Sequence, residues 1–538
     1  MNKSFNFSKQ KARELSLEEK VGQLFMPAAF INDTEEEILK LEALIRNGHI
    51  GGICFFHSRA SAATNYEGKK EIPFNEDSYA TLKSLIKRYQ LAAQIPLLIA
   101  IDAEWGLAMR IENTPCYPYA LTLGAMSDAK DLVYEVGRRI GADCRAAGIH
   151  WNFAPVADIN NNPDNPVIGY RSFGSDKKQV GDYALALTLG MQSQGVLSSA
   201  KHFPGHGDTA TDSHLGIPII DKTRSQLKEN ELLPFQQLIS SGVDSVMIGH
   251  LAIPSLSGES STPATLSDNI IKGLLRAEMG FDGVVVSDAL NMHAVSKLFP
   301  EKGELEYRAF VAGIDLFCFS ENPLEGIKKI CDKGDLQAIE DSFQRIWQLK
   351  FKSIPNHALV KPGLSDPHTI NLEIAKKSLT RIGPISNPFE DTVNQITGIQ
   401  IGPVPQNLFF EQLSQTGRLN EISVDYQTAT RQAAKITDQD KILLALFPPS
   451  VKPTGNFGFS ESTIQFINDL LAHAEVTVCL FGNPYFLNLL NLQPYHSAII
   501  AYQQFDEFQT IAAAYFLGQY EATGKLPVQL KWQRHEKI

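Results

Sequence analysis

The chain reads as an α/β protein, a (β/α)8 barrel followed by a smaller α/β layered domain, and three observations carry that reading. Eight short apolar runs with strand character recur along the first two thirds of the sequence. Amphipathic stretches with apolar residues at helical spacing separate them, and glycines close those stretches shortly before the next run.

The runs are residues 24–30, 50–56, 97–103, 151–159, 196–203, 245–251, 283–290 and 315–320. Each is mainly apolar rather than alternating, as expected of a parallel strand covered on both faces. The segment that precedes the first run opens with a capping box, Ser16 with Glu19. Between runs lie 34–48, 78–94, 129–148 and 227–242, read as helices. Gly48, Gly148, Gly195, Gly242, Gly280 and Gly313 stand where a left-handed cap costs a residue without Cβ least. Eight βα units in succession close into a barrel. The alternative, a doubly wound open sheet, needs a glycine-rich phosphate fingerprint at its first turn, and none is present.

With 538 residues the chain is too long for one core. The barrel domain is expected over residues 1–352 and ends in a helix at 336–352. A linker is expected over 353–370, marked by Pro355, Pro362, Gly363 and Pro367, and a second domain over 371–538. In that domain strands are expected at 396–401, 441–447, 476–481 and 498–502, with helices at 460–473, 485–490 and 508–517. Nothing in it makes a catalytic constellation; Asp506 and Glu507 read as the acidic start of a helix.

The net charge of −11 argues against a nucleic-acid partner, and no apolar run is long enough to span a bilayer. A sugar-like small molecule fits better. Residues 1–20 lack the apolar core of a signal peptide, so the expected compartment is the cytoplasm. The six cysteines, Cys54, Cys116, Cys144, Cys318, Cys331 and Cys479, show no C-x-x-C pairing and read as free thiols. No cofactor and no resident metal are expected, and the chain is expected to act as a monomer.

Chemistry concentrates in residues 201–214, KHFPGHGDTATDSH, which begin within the fifth run, directly after Gly195–Ala200. Catalytic side chains of a parallel barrel sit at the C-terminal ends of its strands. Asp212 and His214 are close enough in sequence for a carboxylate to hold an imidazole. Asp288 ends the apolar run of the seventh unit, and Asp102 follows the third; a lone carboxylate there is costly to bury unless function requires it, although either could simply cap a helix. Taken together, Asp288, Asp102, Lys201, His202 and the Asp212/His214 pair offer a nucleophile, a proton donor and hydroxyl-binding groups. Cleavage of a glycosidic bond with retention requires that set. Bland readings stay open for others: His202 as a core histidine, His206 as a residue that shapes its loop, Arg171 as a loop brace. A divalent metal held by His202, His206, His214, Asp208 and Asp212 is a rival, weakened by the lack of a helical histidine pair.

The stretch KHFPGHGDTATDSH, together with GFDGVVVSDALNM, IDAEWG and GYRSFG, resembles glycoside hydrolase family 3, in its bacterial β-N-acetylglucosaminidase branch and two-domain form. That resemblance implies a retaining exo-β-N-acetylglucosaminidase acting on cell-wall muropeptides or chitooligosaccharides, and so a part in peptidoglycan turnover. It implies that Asp288 is the nucleophile and that His214, paired with Asp212, is the acid/base. Asp102, Arg110, Arg171, Lys201 and His202 would hold the sugar. A family 3 β-glucosidase or broad β-hexosidase is the alternative. Two departures stand out: Trp105 occupies a position where the family usually has glycine, and Ala289 follows Asp288 where many members have a second aspartate.

Overall fold

The computed structural model describes residues 7–58, 74–209, 216–354, 363–384, 387–389, 395–424 and 441–531. They form two compact units. The first takes in Met1–Tyr117, Val133–Ile159 and Lys177–Asp366, and the second Pro118–Leu132, Asn160–Asp176 and Pro367–Ile538.

In the first unit the strands are β1 (Phe25–Met26), β2 (Ala28–Phe30), β3 (Gly52–Phe56), β4 (Leu98–Ile101), β5 (Trp151–Asn152), β6 (Leu197–Phe203), β7 (Ser245–Ile248), β8 (Val284–Ser287) and β9 (Phe317–Cys318). Strands β2 to β8 pair in chain order, all parallel, and β9 pairs in parallel with β1. A parallel bridge between Val286 and Leu316, with the Ser287 amide donating to the Leu316 carbonyl at 3.0 Å, links β8 to the β9 side and closes the ring. β1 and β2 occupy one strand position, interrupted at Pro27, which has no N–H to give to the ladder but still accepts from the Cys54 amide at 3.1 Å. The ring therefore has eight strand positions, one inside each of the eight apolar runs, and the (β/α)8 barrel is as expected.

Burial on both faces explains why those runs were continuous: β4, β6, β7 and β8 are buried at every residue. The capping box forms, with the Glu19 amide donating to Ser16 Oγ at 3.2 Å and the Ser16 amide to Glu19 Oε2 at 2.7 Å. Of the six glycines, five adopt positive φ; Gly48 does not, at −97°, and the left-handed residue is His49 at φ 50°. A Cβ on Gly48 would come within 3.1 Å of the Leu44 carbonyl and 3.2 Å of Ile50 and Leu324, so crowding is the reason for glycine there. The helix Leu336–Ser353 carries Lys350, fully buried, whose Nζ donates to Gln23 Oε1 at 2.6 Å and to the Pro96 carbonyl at 2.7 Å. Both acceptors precede the strands β1 and β4, so this amine sits at the N-terminal end of the ring.

The second unit has a six-stranded sheet of β10 (Thr380–Ile382), β11 (Ile396–Ile401), β12 (Leu419–Val424), β13 (Lys441–Leu446), β14 (Glu475–Leu480) and β15 (Ser497–Ile500), in the order β10-β15-β14-β13-β11-β12. Among the described residues only the β10–β15 pair of this sheet is antiparallel. Four of these strands match the expected ones. The two that sequence reasoning missed, β10 and β12, are the edges; β12 is exposed or half-buried at five of its six residues, so it lacks the apolar run that marks its neighbours.

The linear division at 353–370 differs from the observed units, which interleave in sequence. The short helix Ala120–Gly124 places Leu121 in the apolar core of the second unit, with Ala125 beside it, among Ile442, Leu444, Val478, Tyr502 and Val528. Thr122 Oγ1 accepts from Gln503 Nε2 at 2.7 Å, and the Lys525 amide donates to the Ala125 carbonyl at 2.8 Å. Segments that follow barrel strands are thus built into the other unit, which sequence-local signals cannot report.

Candidate active site

Because the barrel strands are parallel, the residues that follow them collect at one end of the ring. Asp102 follows β4, Lys201 and His202 lie near the end of β6, His250 follows β7 and Asp288 follows β8.

Asp102 Oδ1 accepts from Lys201 Nζ at 2.8 Å and Oδ2 from Arg110 Nη2 at 3.1 Å. Lys201, only 1% exposed, also pairs with Glu104 Oε1 at 2.7 Å. Two carboxylates and two cations thus neutralise one another in a half-buried cluster around the buried Lys201 amine. Burial pushes the Asp102 carboxyl up, but the Lys201 and Arg110 charges outweigh it and hold the group below the usual carboxylate range. The Arg110 guanidinium lies over the Phe56 ring, 5.4 Å from its centroid, which leaves it little freedom.

His202 is held by Asp158, a fully buried carboxylate. The His202 ring Nδ1 lies 2.8 Å from Asp158 Oδ2, its backbone amide donates to both carboxylate oxygens at 3.1 and 3.2 Å, and the His206 amide donates to Oδ1 at 2.7 Å. One side chain therefore organises the start of the chemistry-bearing loop. The Lys201–His202 peptide is cis.

Asp288 anchors through its backbone, its amide donating to the Ile248 carbonyl at 3.0 Å, while Oδ1 accepts from the Ala289 amide at 2.8 Å. Burial would raise this carboxyl; the charges of His202 and His250, the Ala289 amide and the Lys201 charge bring it down to about 2. It is therefore an ionised, half-buried carboxylate, which is the state a nucleophile needs.

Residues 16–349 match the glycosyl hydrolase family 3 N-terminal domain. The chain belongs to this family. It is 34% identical over 392 residues to the beta-hexosaminidase A of Pseudoalteromonas piscicida, covering 65% of each chain. It is 30% identical over 317 residues to the beta-N-acetylglucosaminidase/beta-glucosidase of Cellulomonas fimi, covering 57% of this chain and 52% of that one. The match thus spans less than two thirds of the length of either relative. A solved glycoside hydrolase family 3 beta-N-acetylglucosaminidase from Paenibacillus sp. str. FPU-7 superposes with a TM-score of 0.78 at 31% identity, over 96% of this chain and 99% of that one.

The family 3 barrel brings together Asp102, Arg110, Lys201, His202 and Asp288 at its C-terminal end. Arg171 belongs to the second compact unit, in the turn Gly169–Arg171, where its Nη1 donates to the Val167 carbonyl at 3.3 Å. Asp212 and His214 lie outside the described residues. The metal rival loses Asp208, whose Oδ2 is held by Lys222 Nζ at 2.6 Å. Sequence reasoning missed Glu104, Asp158 and His250. Asp158 and His250 had a usable signal: each is a polar side chain inside a run read as strand, the cue that singled out Asp288.

His206 takes the loop-shaping part, its Nδ1 2.8 Å from Thr209 Oγ1 and its ring edge-on to His202 at 5.9 Å. Burial and the His202 charge push its imidazole down to about 4 from 6.5. In between, the unfolded chain binds the proton and the fold does not, so stability falls as pH drops from 6.5 to 4, by about 3 kcal/mol from this group. Urea midpoints measured across that window are expected to fall less steeply for His206→Gln than for the parent; equal slopes would refute the assignment.

Proposed function

We propose that this chain is a retaining exo-β-N-acetylglucosaminidase. The observation that carries the proposal is Asp288, a half-buried carboxylate at the end of β8 held down to about 2 by imidazole and ammonium neighbours. In the glycosylation step a carboxylate oxygen of Asp288 bonds to the anomeric carbon as the bond to the leaving oxygen breaks, and the His214 imidazolium, oriented by Asp212, delivers the proton to that oxygen. In the second step the neutral imidazole takes a proton from water, which attacks the same carbon and releases Asp288. Asp102, Arg110, Lys201 and His202 hold the hydroxyls and the N-acetyl-bearing ring. The one carboxylate among them, Asp102, accepts from sugar hydroxyls and the cations donate, so a neutral polyhydroxylated ring is matched on both counts.

The substrates are terminal β-linked N-acetylglucosamine units of cell-wall muropeptides or chitooligosaccharides. None of the six cysteines is in a disulfide, which supports a reducing compartment, the cytoplasm, as the place of action. Among the described residues no helix is long and apolar enough to cross a membrane.

A second reading, a broad β-hexosidase, is favoured by the dual name of the Cellulomonas fimi relative. The deciding measurement compares kcat/KM for 4-nitrophenyl glycosides of N-acetylglucosamine and of glucose. A preference for the N-acetylated sugar of at least about 100-fold is expected, since a site built to hydrogen-bond an amide leaves buried partners unpaired when the amide is missing. Equal rates would move the assignment to the broad enzyme, and no turnover of either would end it.

A further inference from the structure

Behind the nucleophile lies a fully buried histidine that the reaction scheme above does not use. His250 follows β7; its ring Nε2 is 3.0 Å from the Ala289 carbonyl and its Nδ1 is 2.7 Å from Thr265 Oγ1. A carbonyl oxygen can only accept, so Nε2 carries the proton and donates. Thr265 is itself fully buried in the turn Ala264–Leu266, with Oγ1 3.3 Å from the Gly249 carbonyl. The chain of contacts therefore runs from the turn, through the imidazole, to the residue that follows the nucleophile.

Ala289 is the link. Its carbonyl takes the His250 proton, while its amide donates to Asp288 Oδ1 at 2.8 Å. The next amide, of Leu290, donates to the Cys318 carbonyl at 3.0 Å, so the peptide after Ala289 is pinned at both its oxygen and its nitrogen. We infer that His250 is a positioning residue for the nucleophile, clamping Ala289 so that its amide fixes which carboxylate oxygen of Asp288 is engaged and which is presented to the sugar. The inference rests on reading Asp288 as the attacking group. A hydrogen bond that orients a nucleophile is felt when the carboxylate moves onto the anomeric carbon, and not when the sugar merely binds. Loss of His250 also leaves the half-buried Ala289 carbonyl without this donor.

The test compares His250→Leu, His250→Gln and Thr265→Val with the full-length parent, using 4-nitrophenyl N-acetylglucosaminide. Leucine fills the space without a donor; glutamine can return an N–H to the Ala289 carbonyl. The expected result is a fall in kcat of about 100-fold for His250→Leu with KM within about twofold, and recovery of at least about tenfold by His250→Gln. A folded His250→Leu enzyme with kcat within about threefold of the parent overturns the inference, as does a glutamine variant no faster than the leucine one. If His250→Leu does not fold, Thr265→Val decides: a fall in kcat of about tenfold at unchanged KM supports the clamp, and unchanged kcat overturns it. Asp288→Ala is assayed beside them. Activity retained in that variant removes the nucleophile reading itself; its loss, with a normal His250→Leu, removes only the clamp.

Discussion

Asp288→Ala is expected to lower kcat for an N-acetylglucosaminide by a factor on the order of 10⁵ while the protein stays folded. The factor is large because the side chain does two things that nothing nearby can replace. It supplies the atom that bonds to the sugar, and it is the anion against which the positive charge of the oxocarbenium-like transition state is set. Lys201, His202 and His250 are arranged around a negative charge; with that charge deleted they oppose the developing cation instead of being balanced. Since the carboxyl is held down to about 2, it stays ionised on mild acidification, and no fall in rate there traces to it. Rapid-quench and steady-state assays of purified Asp288→Ala, checked for folding by circular dichroism, measure the effect. Turnover within about tenfold of the parent would show that another group attacks.

Asp158→Ala is expected to be the most destabilising single change at the barrel mouth, by about 3–5 kcal/mol. The carboxylate is fully buried, and burial by itself would raise its pKa; the His202 charge, the hydrogen bond from that ring and the His206 contacts hold it below the usual range instead. Its removal strands the His202 ring and two backbone amides, those of His202 and His206, in a place from which water is excluded. Activity falls as well, because His202 loses the partner that orients its ring. Asp158→Asn keeps the shape and one acceptor oxygen but turns an amide N–H₂ toward donors, so it falls between parent and alanine variant. Guanidinium unfolding midpoints check the order; an alanine variant within about 1 kcal/mol of the parent would show that the three donors find other partners.

The barrel was legible because each of its strands is covered on both sides, which forces an apolar run, and because helix ends repeatedly demand a left-handed residue. The same cues fail where the physics differs. β12 lies at a sheet edge and keeps polar residues, and at Gly48 the left-handed turn passes to His49 while glycine answers to crowding. In the site, Asp102, Lys201, His202 and Asp288 announced themselves as charges at the ends of apolar runs. Asp158 and His250 obeyed the same rule, yet each stood alone in its segment, with no motif to draw attention to its partners. Those partners, His202 and His206 in one case and Thr265 and Ala289 in the other, are brought close by the pairing of neighbouring strands, β5 with β6 and β7 with β8, and by the turn at Ala264–Leu266. Glu104, two residues past Asp102, takes its meaning from Lys201, almost a hundred positions away.

The helix Ala120–Gly124 also bears on how the polypeptide is made. Its Leu121 is packed with Val528 and Leu530, so a chain emerging from the ribosome has delivered every barrel strand before the last partners of that leucine exist. During that interval an apolar turn made early in synthesis waits uncovered, and a message truncated after the barrel would leave it so for good.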